Sequence, residues 1–160
     1  MAERLDSVPE GLWPAWSDER VDAIVPLAPV GLPFSADGLQ GVIVPALLMV
    51  GSSDTYVEPD FNVLRVYQEL PGEQKALAVL DGASHHVFRD QCKDTQWLAD
   101  MGFFYACSDF VWDMDRAHDL INHFTTAFLL STLKGDADAT AALSTDAVSF
   151  PGIEYQAEGF

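Results

Sequence analysis

Two short and almost purely apolar runs lie near the middle of the chain, at residues 42–51 and 75–80. Runs of this length without polar alternation are typical of strands that are buried on both faces of a parallel sheet. Between them, residues 60–70 repeat apolar side chains at helical spacing, and Pro71 and Gly72 end the repeat. The pattern therefore predicts a strand, a helix and a second parallel strand, joined by a right-handed crossover.

A third apolar run, at residues 21–29, predicts the first strand of the same sheet. Pro26 argues against a central strand there, unless the strand ends at that residue. Residues 31–41 favour a loop with a single helical turn, and the polar residues 89–112 favour a longer loop. Three parallel strands would form an unusually small sheet with an exposed apolar edge. The chain is therefore predicted to be an α/β structure that corresponds to the second half of a larger sheet.

The strongest helical pattern follows this loop and extends from a capping Asp113 to Lys134 and Gly135. Its apolar face consists of Ala117, Leu120, Ile121, Phe124, Ala127 and Phe128. A short alanine-rich helix is predicted over residues 137–143. The turn-rich residues 148–160 are predicted to be irregular.

The composition is that of a globular protein, since 49% of the residues are apolar and 11% are aromatic. A length of 160 residues fits one domain, with a core over 18–135 and a helical and irregular tail over 136–160. The 25 acidic residues against 8 basic ones give a net charge of −17, which argues against nucleic acids and anionic membranes as partners. This acidity is common in soluble exported or halotolerant proteins. The sequence lacks an apolar run long enough to predict a membrane span.

Three features leave alternatives open. The residues that follow Met1 are charged and lack an apolar signal region, so either the protein is cytoplasmic or a signal lies on a segment outside this sequence. Trp13 and Trp16 stand in a turn-rich stretch and favour core packing over an acyl pocket. Cys92 and Cys107 fit a disulfide and a pair of buried thiols equally well from their spacing.

An acid and a histidine follow the two clearest strands at corresponding positions. Asp54 follows the strand over 42–51, and His85 follows the strand over 75–80. Loops at the carboxyl ends of neighbouring parallel strands meet at one edge of the sheet, where binding crevices form. An aspartate there would hold one imidazole nitrogen while the other acts as a general base. A histidine suits this role because its ordinary pKa is about 6.5.

A purely structural role is also open for these two residues, because Gly-Ser-x-Asp after a strand often forms only a turn. His118 and His123 are five apart on a helix, so they do not share a face and favour surface positions over a metal site. Asp109, Asp113 and Asp115 lack the glycine and the terminal glutamate of a calcium loop. The sequence therefore implies neither a metal nor a cofactor.

Four stretches in order carry a resemblance to a known family. They are residues 18–29, 44–54, 82–88, which read Gly-Ala-x-His-x-x-Phe, and 115–122. Over about residues 18–128 the chain resembles the carboxyl-terminal part of α/β-hydrolases of the dienelactone-hydrolase and platelet-activating-factor-acetylhydrolase-like branch. The resemblance implies an α/β-hydrolase fold of about three parallel strands with flanking helices.

The same resemblance implies roles for individual residues. Asp54 is the triad acid and His85 the triad base, with His86 as the competing base. It implies a disulfide between Cys92 and Cys107 beside the site, and it favours a periplasmic or secreted protein over a cytoplasmic one. The implied substrate is a small or short-acyl ester or a lactone.

The chain departs from this family in one large respect. The G-x-S-x-G turn that carries the nucleophilic serine is absent from these 160 residues, as are the earlier strands and the oxyanion loop. Ser52, Ser53 and Ser84 do not stand in such a turn. One hypothesis is the carboxyl-terminal half of a serine ester or lactone hydrolase, inactive alone and completed by an amino-terminal chain that supplies the nucleophile. The other is a non-catalytic fragment or degenerate hydrolase that acts as a binding or assembly partner.

Overall fold

A single small sheet organises the chain, which a computed structural model describes over residues 18–160. Its strands are β1 (Ala46–Gly51), β2 (Lys75–Leu80) and β3 (Ile153–Glu158), hydrogen-bonded in that order. β1 and β2 are parallel, whereas β3 is antiparallel to β2. Every residue of β1 and β2 is buried, as their unbroken apolar sequence predicted. The prediction for Trp13 and Trp16 lies outside the described residues.

The helices are α1 (Ala36–Leu39), α2 (Arg65–Glu69), α3 (Gln96–Asp100), α4 (Met114–Lys134) and α5 (Ala137–Ala142). A π-helical turn (Asp60–Leu64) leads directly into α2, and 3-10 helices cover His85–Phe88 and Phe104–Ala106.

The helices expected around the sheet are confirmed, including the single turn within 31–41 and the helix that follows β1. At the start of α4, the carboxylate of Asp113 accepts a hydrogen bond from the amide of Arg116. At its end, Gly135 adopts a left-handed conformation with φ of 65°. Caps at both ends therefore fix the longest helix where its sequence signals predicted.

The prediction of a regular strand over 21–29 was wrong. This segment forms only two isolated parallel bridges to β1, from Ile24 to Ala46 and from Leu27 to Met49. The amide of Ile24 donates to the carbonyl of Pro45, directly before β1, at 3.0 Å, and the amide of Ala28 donates to the carbonyl of Met49 at 2.8 Å. The ladder bond between them would have to come from Pro26, which has no amide hydrogen, so the pairing is interrupted.

The prediction of an irregular tail over 148–160 was wrong for its second half. Residues Ile153–Glu158 form β3, with alternating half-buried and exposed side chains. The strand covers the free edge of β2, and Tyr155 donates a hydrogen bond from its hydroxyl to the carbonyl of Leu143 at 2.9 Å. The described sheet therefore contains two parallel strands and one antiparallel strand, rather than three parallel ones.

Helices cover both faces of the sheet. On one face, Leu48 and Leu77 pack against α2 and the π-helical turn before it. On the other face, Leu47 and Met49 pack against α4 and α5, in a cluster that includes Phe124 and Phe128. The described residues thus form an α/β architecture with a small sheet between flanking helices. Within residues 18–160, no helix combines the length and apolar character needed to cross a membrane.

Candidate active site

Asp54 and His85 lie at the same edge of the sheet, at the carboxyl ends of β1 and β2. Asp54 closes a tight turn, in which its amide donates to the carbonyl of Gly51 at 3.1 Å. His85 begins a 3-10 helix whose first turn is capped by the Ser84 hydroxyl. Because β1 and β2 are adjacent and parallel, their loops converge, as the sequence pattern predicted.

A short hydrogen bond joins the two side chains, with 2.7 Å between Nδ1 of His85 and Oδ2 of Asp54. The Asp54 side chain is completely buried, and its other oxygen accepts from the amides of Tyr56 and Val57 at 2.9 and 2.8 Å. Three donors therefore compensate the burial of this carboxylate. With Asp54 as acceptor, Nδ1 carries the hydrogen and Nε2 of His85 is left as an acceptor.

The imidazole of His85 is open on one side. Its side chain is 32% exposed, whereas Asp54 beneath it has no solvent contact. Among the hydrogen bonds of residues 18–160, His85 uses Nδ1 only, so Nε2 is available to a further group. The arrangement can take up a proton at Nε2 and stabilise the resulting cation through Asp54.

Close packing between the two loops holds the pair together. The amide of Ser53 donates to the carbonyl of Ala83 at 2.9 Å. Gly51 lies against the same carbonyl, and a Cβ at this position would be 2.3 Å from the oxygen. Only glycine allows the end of β1 to approach the histidine loop this closely.

Asp109 anchors the histidine loop from the opposite side. Its Oδ2 accepts from the amide of Ser84 at 2.7 Å, and its Oδ1 accepts from the amides of Val111 and Trp112 at 2.9 Å. Burial acts to raise the pKa of Asp109, but these amides outweigh it and hold the pKa below its ordinary value. The sequence alone indicates Asp109 only as one of three nearby acids that lack the pattern of a calcium loop.

Sequence spacing gives part of the signal for Asp109. Its bonds to the second and third following amides are those of an Asx turn, which Asp before a short loop predicts. Its bond to Ser84 spans 25 residues, so no local pattern indicates it. The anchoring role of Asp109 therefore becomes visible only in the fold.

His86, the competing base, is held differently from His85. It is buried, and neither of its ring nitrogens has a hydrogen-bond partner within residues 18–160. Burial lowers the pKa of His86, and the nearby Arg89 and His85 lower it further. Since no carboxylate orients His86, its surroundings fit the base role less well than those of His85.

The three serines near the dyad are occupied with loop structure or lie apart from His85. Ser52 accepts from the amide of Gly82 at 2.7 Å and donates to Asp81 at 3.2 Å. Ser84 accepts from the amide of His86 at 3.3 Å. None of the hydroxyls of Ser52, Ser53 and Ser84 hydrogen-bonds to the imidazole of His85 in the described part of the chain.

Cys92 and Cys107 form a disulfide, with 4.8 Å between their Cα atoms. This confirms the pairing that the family resemblance implied. The bond closes a loop that contains α3 and the 3-10 helix Phe104–Ala106. Tyr105 of this loop contacts the ring of His86, which in turn contacts His85, so the disulfide-closed loop lies beside the Asp54–His85 pair.

The remaining candidates have local contacts. His118 is half-buried, and its Nε2 lies 3.2 Å from the carbonyl oxygen of Val87. His123 is exposed and packs edge-on against Phe150. Asp113 caps α4, and Asp115 pairs with Lys93 at 2.6 Å. Over the part of the chain that is described, no three metal-ligating side chains come together.

No protein-family model matches the chain, and no curated protein matches it.

Proposed function

We propose that this chain is the carboxyl-terminal half of a serine hydrolase of the α/β-hydrolase type, acting on esters or lactones. Asp54 is the acid of its catalytic triad and His85 is the base. The observation that supports this most directly is the 2.7 Å hydrogen bond between the buried Asp54 and Nδ1 of His85. It lies at the carboxyl ends of adjacent parallel strands, where α/β-hydrolases assemble their triads.

The nucleophile belongs to a segment outside these 160 residues, which contain no G-x-S-x-G. The outer edge of residues 21–29 is a place where the strand that carries the nucleophile could pair. Ile24 and Ala28 direct their amides towards β1, so the backbone groups of the alternate residues Ala23, Val25 and Leu27 face the outer edge. An added parallel strand that ends in the nucleophile turn would pair there and bring its serine to the edge that carries His85.

The reaction proceeds through an acyl-enzyme. Nε2 of His85 takes the proton of the serine hydroxyl as the serine oxygen attacks the carbonyl carbon. The protonated imidazole then gives this proton to the leaving alcohol. A water molecule next loses a proton to Nε2 while its oxygen attacks the acyl carbon. The bond between the acyl carbon and the serine oxygen then breaks, the imidazolium returns the proton to the serine oxygen, and the acid product leaves. Asp54 stabilises each imidazolium that forms.

The alternative, a non-catalytic binding partner, is favoured by the missing nucleophile turn alone. Labelling with a serine-reactive phosphonate and hydrolysis of a short-chain chromogenic ester distinguish the two. The purified chain is tested alone and after co-expression with the segment encoded directly upstream. We expect neither label nor turnover from the chain alone, and both from the assembly.

The site assignment is tested in the same assembly. We expect Asp54→Asn and His85→Ala each to remove turnover and labelling, while His123→Ala, an exposed histidine on α4, leaves them unchanged. Full activity in either dyad variant would reject the triad. A label on a serine of the isolated chain would reject the half-enzyme, and an assembly that forms but never labels would favour the binding partner.

A further inference from the structure

His86 is a buried polar group whose role the triad leaves unexplained. Its side chain is 8% exposed, and both ring nitrogens lack a hydrogen-bond partner within the described residues. An unsatisfied buried imidazole costs stability relative to an apolar side chain of the same shape. Because hydrogen bonding within the described residues does not explain an imidazole at this position, its packing contacts are the remaining indication of its role.

Aromatic rings enclose His86 on several sides. Tyr56 lies edge-on at 5.2 Å between ring centroids, Tyr105 at 5.8 Å, and His85 itself at 6.0 Å. Tyr56 also packs against His85 at 5.5 Å. The partly exposed imidazole of His85 is thus in contact with two rings, those of Tyr56 and His86, and the ring of His86 is buried. The contacts of His86 with Tyr56, His85 and Tyr105 are edge-on, a geometry that favours one ring orientation over others.

Tyr105 connects this cluster to the disulfide loop. It belongs to the 3-10 helix Phe104–Ala106, directly before Cys107, and its own ring packs edge-on against Phe103. The carbonyl of Cys107 accepts from the amide of Cys92 at 3.0 Å, in addition to the covalent bond. The disulfide and this hydrogen bond together hold the loop in the position from which Tyr105 contacts His86.

We propose that His86 is a positioning residue for His85, a neutral aromatic wall that limits rotation of the catalytic imidazole about its bond to Asp54. The inference rests on the proposed function of His85 as base. The ring of His86 acts by packing, since neither nitrogen has a hydrogen-bond partner among residues 18–160. The lowered pKa of His86 keeps the ring uncharged near neutral pH, so it adds no positive charge beside the base.

Solution NMR of the purified chain tests the packing role without any nucleophile. The Nδ1 proton of His85 reports the hydrogen bond to Asp54, and its exchange rate with water reports how often the ring leaves that position. We expect His86→Ala to raise this rate roughly two- to tenfold, the range of a lost aromatic contact. His86→Phe keeps the wall without nitrogens and should leave the rate close to wild type. His123→Ala serves as the matched control.

Tyr105→Ala supplies a second variant in case His86→Ala does not fold. Tyr105 is 46% exposed, so its truncation disturbs the core little, yet it removes one support of His86. We expect a faster exchange rate here as well. Unchanged exchange in the truncated variants would overturn the proposal, and so would fast exchange in His86→Phe, because the nitrogens would then be required.

Activity separates this inference from the triad itself. If the upstream assembly never labels with phosphonate while the exchange rates follow the expected order, the proposed reaction is rejected and the packing role of His86 stands. If the assembly is active but His86→Ala retains wild-type kcat and wild-type exchange, only the positioning role is rejected. A loss of kcat with unchanged KM in His86→Ala, restored in His86→Phe, would support it.

Discussion

Burial and hydrogen bonding act together on Asp54 at the scale of single residues. Its side chain has no solvent contact, and it accepts from one imidazole and two amides. Such a carboxylate is fixed in both position and orientation, because moving it would leave donors unpaired in a buried environment. This rigidity is what a group that selects one imidazole tautomer requires.

Replacing Asp54 with asparagine tests that selection. The amide keeps the shape but presents a donor or a neutral acceptor to His85, so it no longer stabilises an imidazolium and favours the wrong tautomer. We expect kcat of the complete assembly to fall by about four orders of magnitude. Asp81→Asn, on the neighbouring exposed loop, is the control. A loss below about tenfold would show that Asp54 is only a turn residue.

Asp109 gives a second test at the same scale. Asp109→Ala leaves three backbone amides without their acceptor, and we expect it to lower the free energy of unfolding by about 1–3 kcal/mol at pH 7. The folded pKa of Asp109 is lowered, so its contribution is complete above the unfolded pKa, about 3.9, and is lost as pH falls through the folded value.

Urea unfolding at pH 7 and at pH 3 measures this contribution. The difference in the free energy of unfolding between wild type and Asp109→Ala should be smaller at pH 3 than at pH 7. Asp100 is an exposed acid on α3, and Asp100→Ala should have the wild-type free energy of unfolding at both pH values. An equal difference for Asp109→Ala at both pH values would mean that the side chain acts through packing rather than through its charge.

The local signals of Asp54 and His85 were sufficient to predict that they meet, because strand ends determine which loops converge. Asp109 was missed as an anchor, since its contact with Ser84 depends on how a distant loop folds back. The sequence likewise did not predict that His86 is buried without a hydrogen-bond partner among the described residues, because its surroundings include Tyr105 of the disulfide loop. The sequence therefore predicted the contact between Asp54 and His85 but not the contacts of Asp109 and His86 around it.

At the scale of elements, the end of β1 is fixed by a backbone contact rather than by side chains. We expect Gly51→Ala to destabilise the chain by about 1–3 kcal/mol, because its Cβ would lie 2.3 Å from the carbonyl oxygen of Ala83 and must displace it. Gly38→Ala in α1 is the matched control, since its Cβ would meet only the Ser35 hydroxyl at 3.4 Å.

Denaturant unfolding of both glycine variants, together with the NMR signal of the His85 Nδ1 proton, measures the effect. Gly51→Ala should shift that signal, because the displaced carbonyl belongs to the histidine loop. Wild-type stability in Gly51→Ala would mean that the two loops separate without cost and do not fix the dyad.

The elements that were predicted incorrectly have physical reasons as well. The sequence Ile153–Glu158 alternates apolar and polar residues strictly, as a half-buried strand does, but the run is short and follows a turn-rich stretch. β3 was missed for that reason and because its pairing partner β2 lies 73 to 83 residues earlier in the chain. The strand over 21–29 is interrupted because Pro26 cannot donate the central ladder bond. Helices were predicted more reliably because their caps and their apolar faces are local in sequence, as in α4.

At the scale of the whole molecule, charge bears on what occupies the outer edge of 21–29. Each copy of the chain carries a net charge of −17, so pairing between two copies at this edge is opposed by like-charge repulsion. A separate segment that is less acidic and supplies its own strand is not repelled in this way. The acidity of the chain thus supports the proposed pairing with a different segment over self-association along the outer edge of residues 21–29.

Val25→Pro tests the edge directly. Val25 directs its amide outward, between the β1-facing amide of Ile24 and Pro26, so proline at this position removes an outer donor and leaves the bonds to β1 in place. Proline is also similar in volume to valine. We expect the isolated chain to unfold at nearly the wild-type urea concentration, while assembly with the upstream segment and its phosphonate labelling are lost. Ile24→Pro is the counterpart, because it removes the inward hydrogen bond to the carbonyl of Pro45, directly before β1, and should destabilise the isolated chain itself. Normal assembly and labelling in Val25→Pro would place the nucleophile strand elsewhere.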